Sequence, residues 1–331
     1  MTALMKTPQL LSTFRKPPQG PLIFKRSLGI PPAFLLDDYV PRYQLLTSVE
    51  SAQKRAASYA HLRKCNLCPR KCGVNRYETT GMCLIGAMTA KDISHQRNGF
   101  DLSPEELAEW YLKLQQIGNV HNINLVTPEH VVPQVVLSIL TARDMGLRIP
   151  IIYNSSSYDS LESLQLLDGL VDIYLPDFKV WHNSTSKRLL KADNYTETAM
   201  ESIKEMHRQV GDLSFTSDGI AKRGVLLRHL VMPGKEDEGR EIMRWLAENV
   251  SRDLYVHIME QYHPDAHVGK KRRVTRKVRI GEAEGASEEI RYAEINRAVR
   301  DEELLSVRDA AVKAGIWRFC EVNENNSAFH L

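Results

Sequence analysis

Short apolar segments alternating with helix-patterned stretches most constrain what this chain can fold into. The segments cover residues 121–127, 150–154, 171–175, 225–231 and 254–259. Helices are expected between them at 133–145, 160–167, 196–210 and 237–248, with an earlier one at 46–63. Another helix starts at Ser103, which caps; Pro104 takes the first helical position and Glu105 and Glu106 the first turn. Leu107, Trp110, Tyr111 and Leu114 give that helix its apolar stripe. A last long helix is expected over 290–314, before Trp317-Arg318-Phe319 closes the chain. Strands joined through helices run parallel, so the expected class is α/β. No G-x-G-x-x-G or P-loop is present, which leaves nucleotide folds of those kinds unsupported. A curved, partly open barrel of β/α units fits better, and such barrels carry their sites at the carboxyl ends of the strands.

Those ends are polar in all five cases. They read Thr127-Pro128-Glu129-His130, then Asn154 to Asp159, then Pro176-Asp177-Phe178-Lys179. After Arg228-His229 comes Met232-Pro233-Gly234, and after the fifth strand Glu260 to Pro264. Loops are polar anyway, which explains any one end and explains five together less well. Asp177 and Lys179, two apart on extended chain, can face one ligand or form only a rim ion pair.

Four of the five cysteines fall in one run, Cys65, Cys68, Cys72 and Cys83, spaced C-x2-C-x3-C-x10-C. Thiolates so close can converge on one metal, and zinc and an iron–sulfur cluster both take four. A cysteine-rich loop without metal is the plainer alternative. Gly81 would let the backbone turn back toward the sulfurs. The odd count, with Cys320 alone, makes a poor disulfide framework and points to a reducing compartment. A cytoplasmic protein with no membrane span is expected. The first 36 residues hold no acid but carry Lys6, Arg15, Lys16, Lys25 and Arg26, the bias of a mitochondrial presequence. Prolines 17, 18, 21, 31 and 32 oppose a long helix there, so an extended arm is the preferred reading. The expected organisation is an arm at 1–45, a helix with the cysteine segment at 46–92, and the barrel at 93–331.

Residues 270–279 hold seven positive side chains in ten. They read as a solvated loop; nucleic-acid binding is the alternative, without the interleaved aromatic residues of a stacking platform. A net charge of +3 demands no polyanionic partner.

From Ile93 to about Phe319 the chain resembles the radical S-adenosylmethionine proteins related to the pyruvate formate-lyase activating enzyme. The resemblance rests on the stretches His121 to His130, Val171 to Lys179, Arg228 to Gly234 and Ile258 to Tyr262. Cys65, Cys68, Cys72 and Cys83 are similar to the extra amino-terminal motif of a poorly characterised branch of that family. The resemblance implies a partial barrel holding a [4Fe-4S] cluster and S-adenosylmethionine, whose reductive cleavage yields a 5′-deoxyadenosyl radical. It also implies an electron donor such as a flavodoxin or ferredoxin, and leaves a protein substrate open. Thr127, Glu129 and His130 would lie near the methionine amino group, and Asn154, Asp177, Lys179 and Arg228 would line the rest. It names no catalytic residue here.

The chain departs from the family in one decisive place. The C-x3-C-x2-C loop that holds the catalytic cluster is absent. Cys83 runs almost directly into the Ile93–Gly99 segment, so the first barrel strand and its loop look deleted near residues 88–92. A smaller departure is Ser157, where relatives tend to have glycine. Three functions follow: a radical S-adenosylmethionine protein with an incomplete site, a non-catalytic zinc or iron–sulfur protein, and, last, a basic nucleic-acid binder.

Overall fold

In a computed structural model describing residues 30–83, 102–275 and 286–320, the alternation builds a mixed α/β molecule around a mostly parallel sheet. The elements are β1 (Leu35–Leu36), α1 (Ser48–Arg63), α2 (Pro104–Gln116), β2 (Ile123–Val126), α3 (Val132–Asp144) and β3 (Ile151–Ser155). Then come α4 (Leu161–Leu167), β4 (Ile173–Pro176), a single turn α5 (Asn183–Thr185), α6 (Tyr195–Val210), β5 (Ser214–Thr216) and β6 (Ala221–Leu230). The chain continues through α7 (Glu236–Asn249), β7 (Tyr255–Met259), β8 (Lys271–Thr275), β9 (Ala286–Ile290), α8 (Asp301–Ala314) and β10 (Arg318–Phe319). Capping boxes start α1, from Thr47 and Glu50, and α2, from Ser103 and Glu106.

Strands β2, β3, β4, β6, β7 and β10 lie side by side and parallel. β6 serves two further neighbours along its length: its end pairs with β7, and its start pairs antiparallel with β5, which carries β1. At the other side β2 pairs only with β3, so among the described residues the sheet does not close.

Alternation along the strands sorts the side chains into two faces. Ile151, Tyr153, Tyr174, Val225, Leu227 and Val256 join the large core under the helices. Ile152, Ile173, Leu175 and Leu226 point the other way into a smaller apolar cluster. Tyr153 and Tyr174 meet edge to face at 5.7 Å.

The described part of the arm is docked at the opposite end of the sheet. Asp172 accepts hydrogen bonds from the Tyr39 hydroxyl (2.6 Å), the Arg42 N–H (2.8 Å) and the Ile151 N–H (2.7 Å). Burial pushes its carboxyl up to about 6 despite these donors. The cysteine segment shares the main core: Cys65 and Leu67 are buried in it. The Ser163 hydroxyl, on α4, donates to the Leu67 carbonyl at 2.6 Å.

The carboxyl-terminal third differs from expectation. The helix expected over 290–314 begins only at Asp301. Asp301, Glu302 and Glu303 favour the positive end of a helix dipole, which sets the start there. Glu303 accepts from the Arg300 N–H at 2.8 Å and the Gly234 N–H at 2.7 Å. Within the basic run expected as a loop, Lys271–Thr275 form β8, antiparallel to β9, with Arg272 opposite Glu289 and Arg273 opposite Glu288. Lys271 pairs with Glu288 at 2.7 Å, so acids from β9 offset charge that the sequence reading left unmatched.

Several expectations lie outside the described residues: the presequence-like bias within 1–29, the junction within 84–101, and 276–279 of the basic run. Among the described residues, no helix is long and apolar enough to cross a membrane.

Candidate functional site

The inner face changes character along the strands. Its apolar floor of Ile152, Ile173 and Leu226 gives way, toward the carboxyl ends, to Asn154, Asp177, Arg228 and His257. Arg228 Nε donates to Asp177 Oδ1 at 2.8 Å, and Arg228 Nη2 to Asn154 Oδ1 at 2.8 Å. Lys179 Nζ donates to Asp177 Oδ2 at 2.6 Å. One carboxylate thus holds two cations, leaving a net positive charge across the three groups. With the Asp177 side chain only 14% exposed, this is more than the rim ion pair weighed from sequence. The Tyr195 hydroxyl accepts from the Lys179 N–H at 3.0 Å and donates to the Asp177 carbonyl at 2.9 Å, which pins that strand end.

Glu129 approaches from the turn after β2. Thr127 takes a left-handed conformation (φ 53°), and its N–H donates to the Asn154 carbonyl at 2.7 Å. Glu129 Oε1 accepts from the Ser156 hydroxyl at 3.3 Å; Oε2 is buried with no partner among the described residues. Burial, then the nearby Asp159, pushes the Glu129 carboxyl up to about 7. A buried carboxylate oxygen without a donor is costly, and an incoming ammonium would supply one. Asp159 is itself buried beneath, accepting from Tyr153 at 2.6 Å and from Ser155.

Ser157 sits in the same loop at φ 62°, its hydroxyl buried without a partner among the described residues. A non-glycine residue there pays for the left-handed backbone. Ser157→Gly is therefore expected to stabilise the protein by about 1 kcal/mol in urea unfolding. A loss of stability would show that the serine is held there by something else.

The cysteine segment reaches this site through Arg76, which is buried. Its Nη1 donates to the His130 carbonyl at 2.8 Å, and its Nη2 lies 3.0 Å from Cys65 Sγ and 3.6 Å from Cys83 Sγ. Cys72 Sγ and Cys83 Sγ flank Gly81, where a Cβ would lie 3.4 and 3.3 Å from them. Glycine thus leaves the room the sulfurs use. Cys68 is half-buried, and burial pushes its thiol up. The donor set suits a thiolate centre in kind only. Its side chains do not surround one point: among the described residues, no three His, Cys, Asp or Glu groups are set to hold a metal ion.

Asn154, Asp177, Lys179 and Arg228 are therefore joined by hydrogen bonds, Glu129 and Thr127 border them, and His130 contributes its carbonyl to Arg76. Sequence reasoning missed His257. It alternates with Tyr255 and Met259, a spacing that groups the three on one face without saying which face. Burial first, then the charge of Arg228, pushes the His257 imidazole below its ordinary value and favours the neutral form. Asp159 lay in the polar run after the second strand, and Arg76 carried no comparable signal.

No protein-family model matches the chain. The chain is similar to an uncharacterized protein of Methanocaldococcus jannaschii, with 31% identity over 168 residues, which are 50% of this chain. The match spans 45% of that relative's length.

Proposed function

We propose that this protein binds S-adenosylmethionine on the inner face of a partial radical S-adenosylmethionine barrel, and that the chain as it stands does not cleave it. The observation that carries the reading is the Asn154–Arg228–Asp177–Lys179 array above an apolar floor, faced by the unpartnered Glu129 oxygen. The net cation suits the ligand's carboxylate, Glu129 its ammonium, and the floor its adenosine. Mixed polar and apolar lining of this kind is what a small-molecule site needs. The absent cysteine triplet argues against turnover. A flavodoxin- or ferredoxin-like donor and any protein substrate belong to a form that carries the triplet.

Equilibrium titration with S-adenosylmethionine tests the binding. Arg228→Met removes charged hydrogen bonds and is expected to weaken it at least about 30-fold, the equivalent of ~2 kcal/mol. Affinity should also rise as pH rises through about 7, because only the ionised Glu129 attracts an ammonium. Equal affinity in wild type and Arg228→Met would remove the site. Under anaerobic reduction the protein should yield no 5′-deoxyadenosine above blank, and clear turnover would overturn that half of the proposal.

A second reading is favoured by the Cys65 and Cys83 sulfurs beside the buried Arg76. Cys65, Cys68, Cys72 and Cys83 would hold zinc or a fully ligated cluster, structural or electron-transferring, with no open coordination position.

A further inference from the structure

Among the described residues, the sheet edge at β2 has no second strand, and helix α2, which leads into β2, keeps an apolar row outside. In the parallel ladder with β3, Ile123 and Thr127 donate inward, to the carbonyls of Pro150 and Asn154. By alternation, the N–H and C=O groups of Asn124 and Val126 point outward, and β2 has no second neighbour among the described residues. An uncovered edge is a template for another strand. Helix α2 is buried through Ala108, Tyr111 and Leu112, yet its outer side carries a second apolar row. Trp110 is 48% exposed, Leu114 43% and the following Ile117 83%, at helical spacings of four and three.

We propose that this face is where a second copy of the chain binds, through a two-fold contact of α2 with α2 and β2 with β2. The charges on α2 are unevenly placed along it, and Lys113 lies beside Glu109 (4.0 Å) and over the Trp110 ring (5.0 Å), within reach of this face. Glu105, Glu106 and Glu109 occupy its first part and Lys113 its last turn. Two antiparallel copies set each acidic half against the other's Lys113, whereas parallel copies oppose acid to acid. A two-fold axis also runs the two β2 strands antiparallel, so both edges are satisfied together. One contact then covers the apolar row and closes the ladder.

The test measures molar mass by light scattering across a concentration series of the full chain, alongside the variant Trp110→Glu/Leu114→Glu. Both positions are about half-exposed, so the variant should keep its circular dichroism and lose in melting temperature only what association adds to wild type. Wild type should run at twice the chain mass, and the variant as a monomer with dissociation at least about 100-fold easier. Hydrogen exchange supplies the second readout: the Asn124 and Val126 amides should be protected in wild type and exchange faster in the variant. A wild type that stays monomeric at every concentration overturns the proposal, as does a variant that remains dimeric. Slow exchange persisting in a monomeric wild type would mean that another part of the chain, such as residues 84–101, covers the edge.

Discussion

Gly224→Ala is expected to destabilise the protein by more than about 4 kcal/mol, which places it among the exceptional single substitutions. Gly224 lies inside β6 at φ 120°, a conformation that side-chain-bearing residues rarely adopt. The backbone of Asp212 and Leu213 crosses directly over it. A Cβ would meet Leu213 Cα, Leu213 N and the Asp212 carbonyl oxygen, all closer than the 3.0 Å that real Cβ atoms keep. These are backbone atoms in the turn that leads into β5, so no rotamer change relieves the contact. Moving them would also strain the bond from the Val225 N–H to the carbonyl of the adjacent Gly211 (3.0 Å). Gly146→Ala is the control. Gly146 also has positive φ, 103°, but nothing lies within 4 Å of its Cβ position. It should lose only about 1–2 kcal/mol, from backbone strain alone. Urea unfolding of both variants separates the two effects. If Gly224→Ala cost no more than Gly146→Ala, the close crossing would not be what fixes glycine there.

The parallel strands and their helices were legible because their signals are local. Apolar runs of strand length, Ser103 and Pro104 at a helix start, and polar strand ends all act within a few residues. The Asp177–Lys179–Arg228 group was legible in part: the residues could be named, but their joining depends on β4 lying beside β6, which spacing does not state. What failed was long-range or competitive. The helix expected from Ile290 and the loop expected over 270–279 give way where residues 271–275 pair with 286–290, a contact between stretches that spacing does not join. β5 is three residues long, and its place depends on the glycine crossing just described. Arg76 follows the cysteines as an ordinary basic residue, and only the fold shows that its side chain is buried between their sulfurs and the His130 carbonyl. His257 was hidden differently. Its strand was expected, but its facing was not, because facing depends on register with Arg228.

Arg76→Met should lower metal retention and stability together if the sulfurs form a thiolate centre. Arg76 is 3% exposed, and its Nε has no partner among the described residues. Burying a cation this way is costly unless negative charge accompanies it. The available neighbours are Cys65 Sγ and Cys83 Sγ, together with the His130 carbonyl. Thiolates would supply the negative charge; neutral thiols would not. Loss of such an outer partner typically weakens metal binding about 10–100-fold. Chelator competition after zinc loading, or after anaerobic reconstitution with iron and sulfide, reads that change. Cys68→Ser should lower metal content and melting temperature in parallel, because it removes a ligand rather than a supporting charge. The two variants divide the readings. If both reduce metal, Arg76 is the counter-charge of a thiolate centre. If Cys68→Ser leaves the metal content unchanged, these cysteines are not its ligands. Methionine keeps the length of the arginine stem, so a fall in stability without any change in metal would mean that Arg76 serves the His130 turn alone.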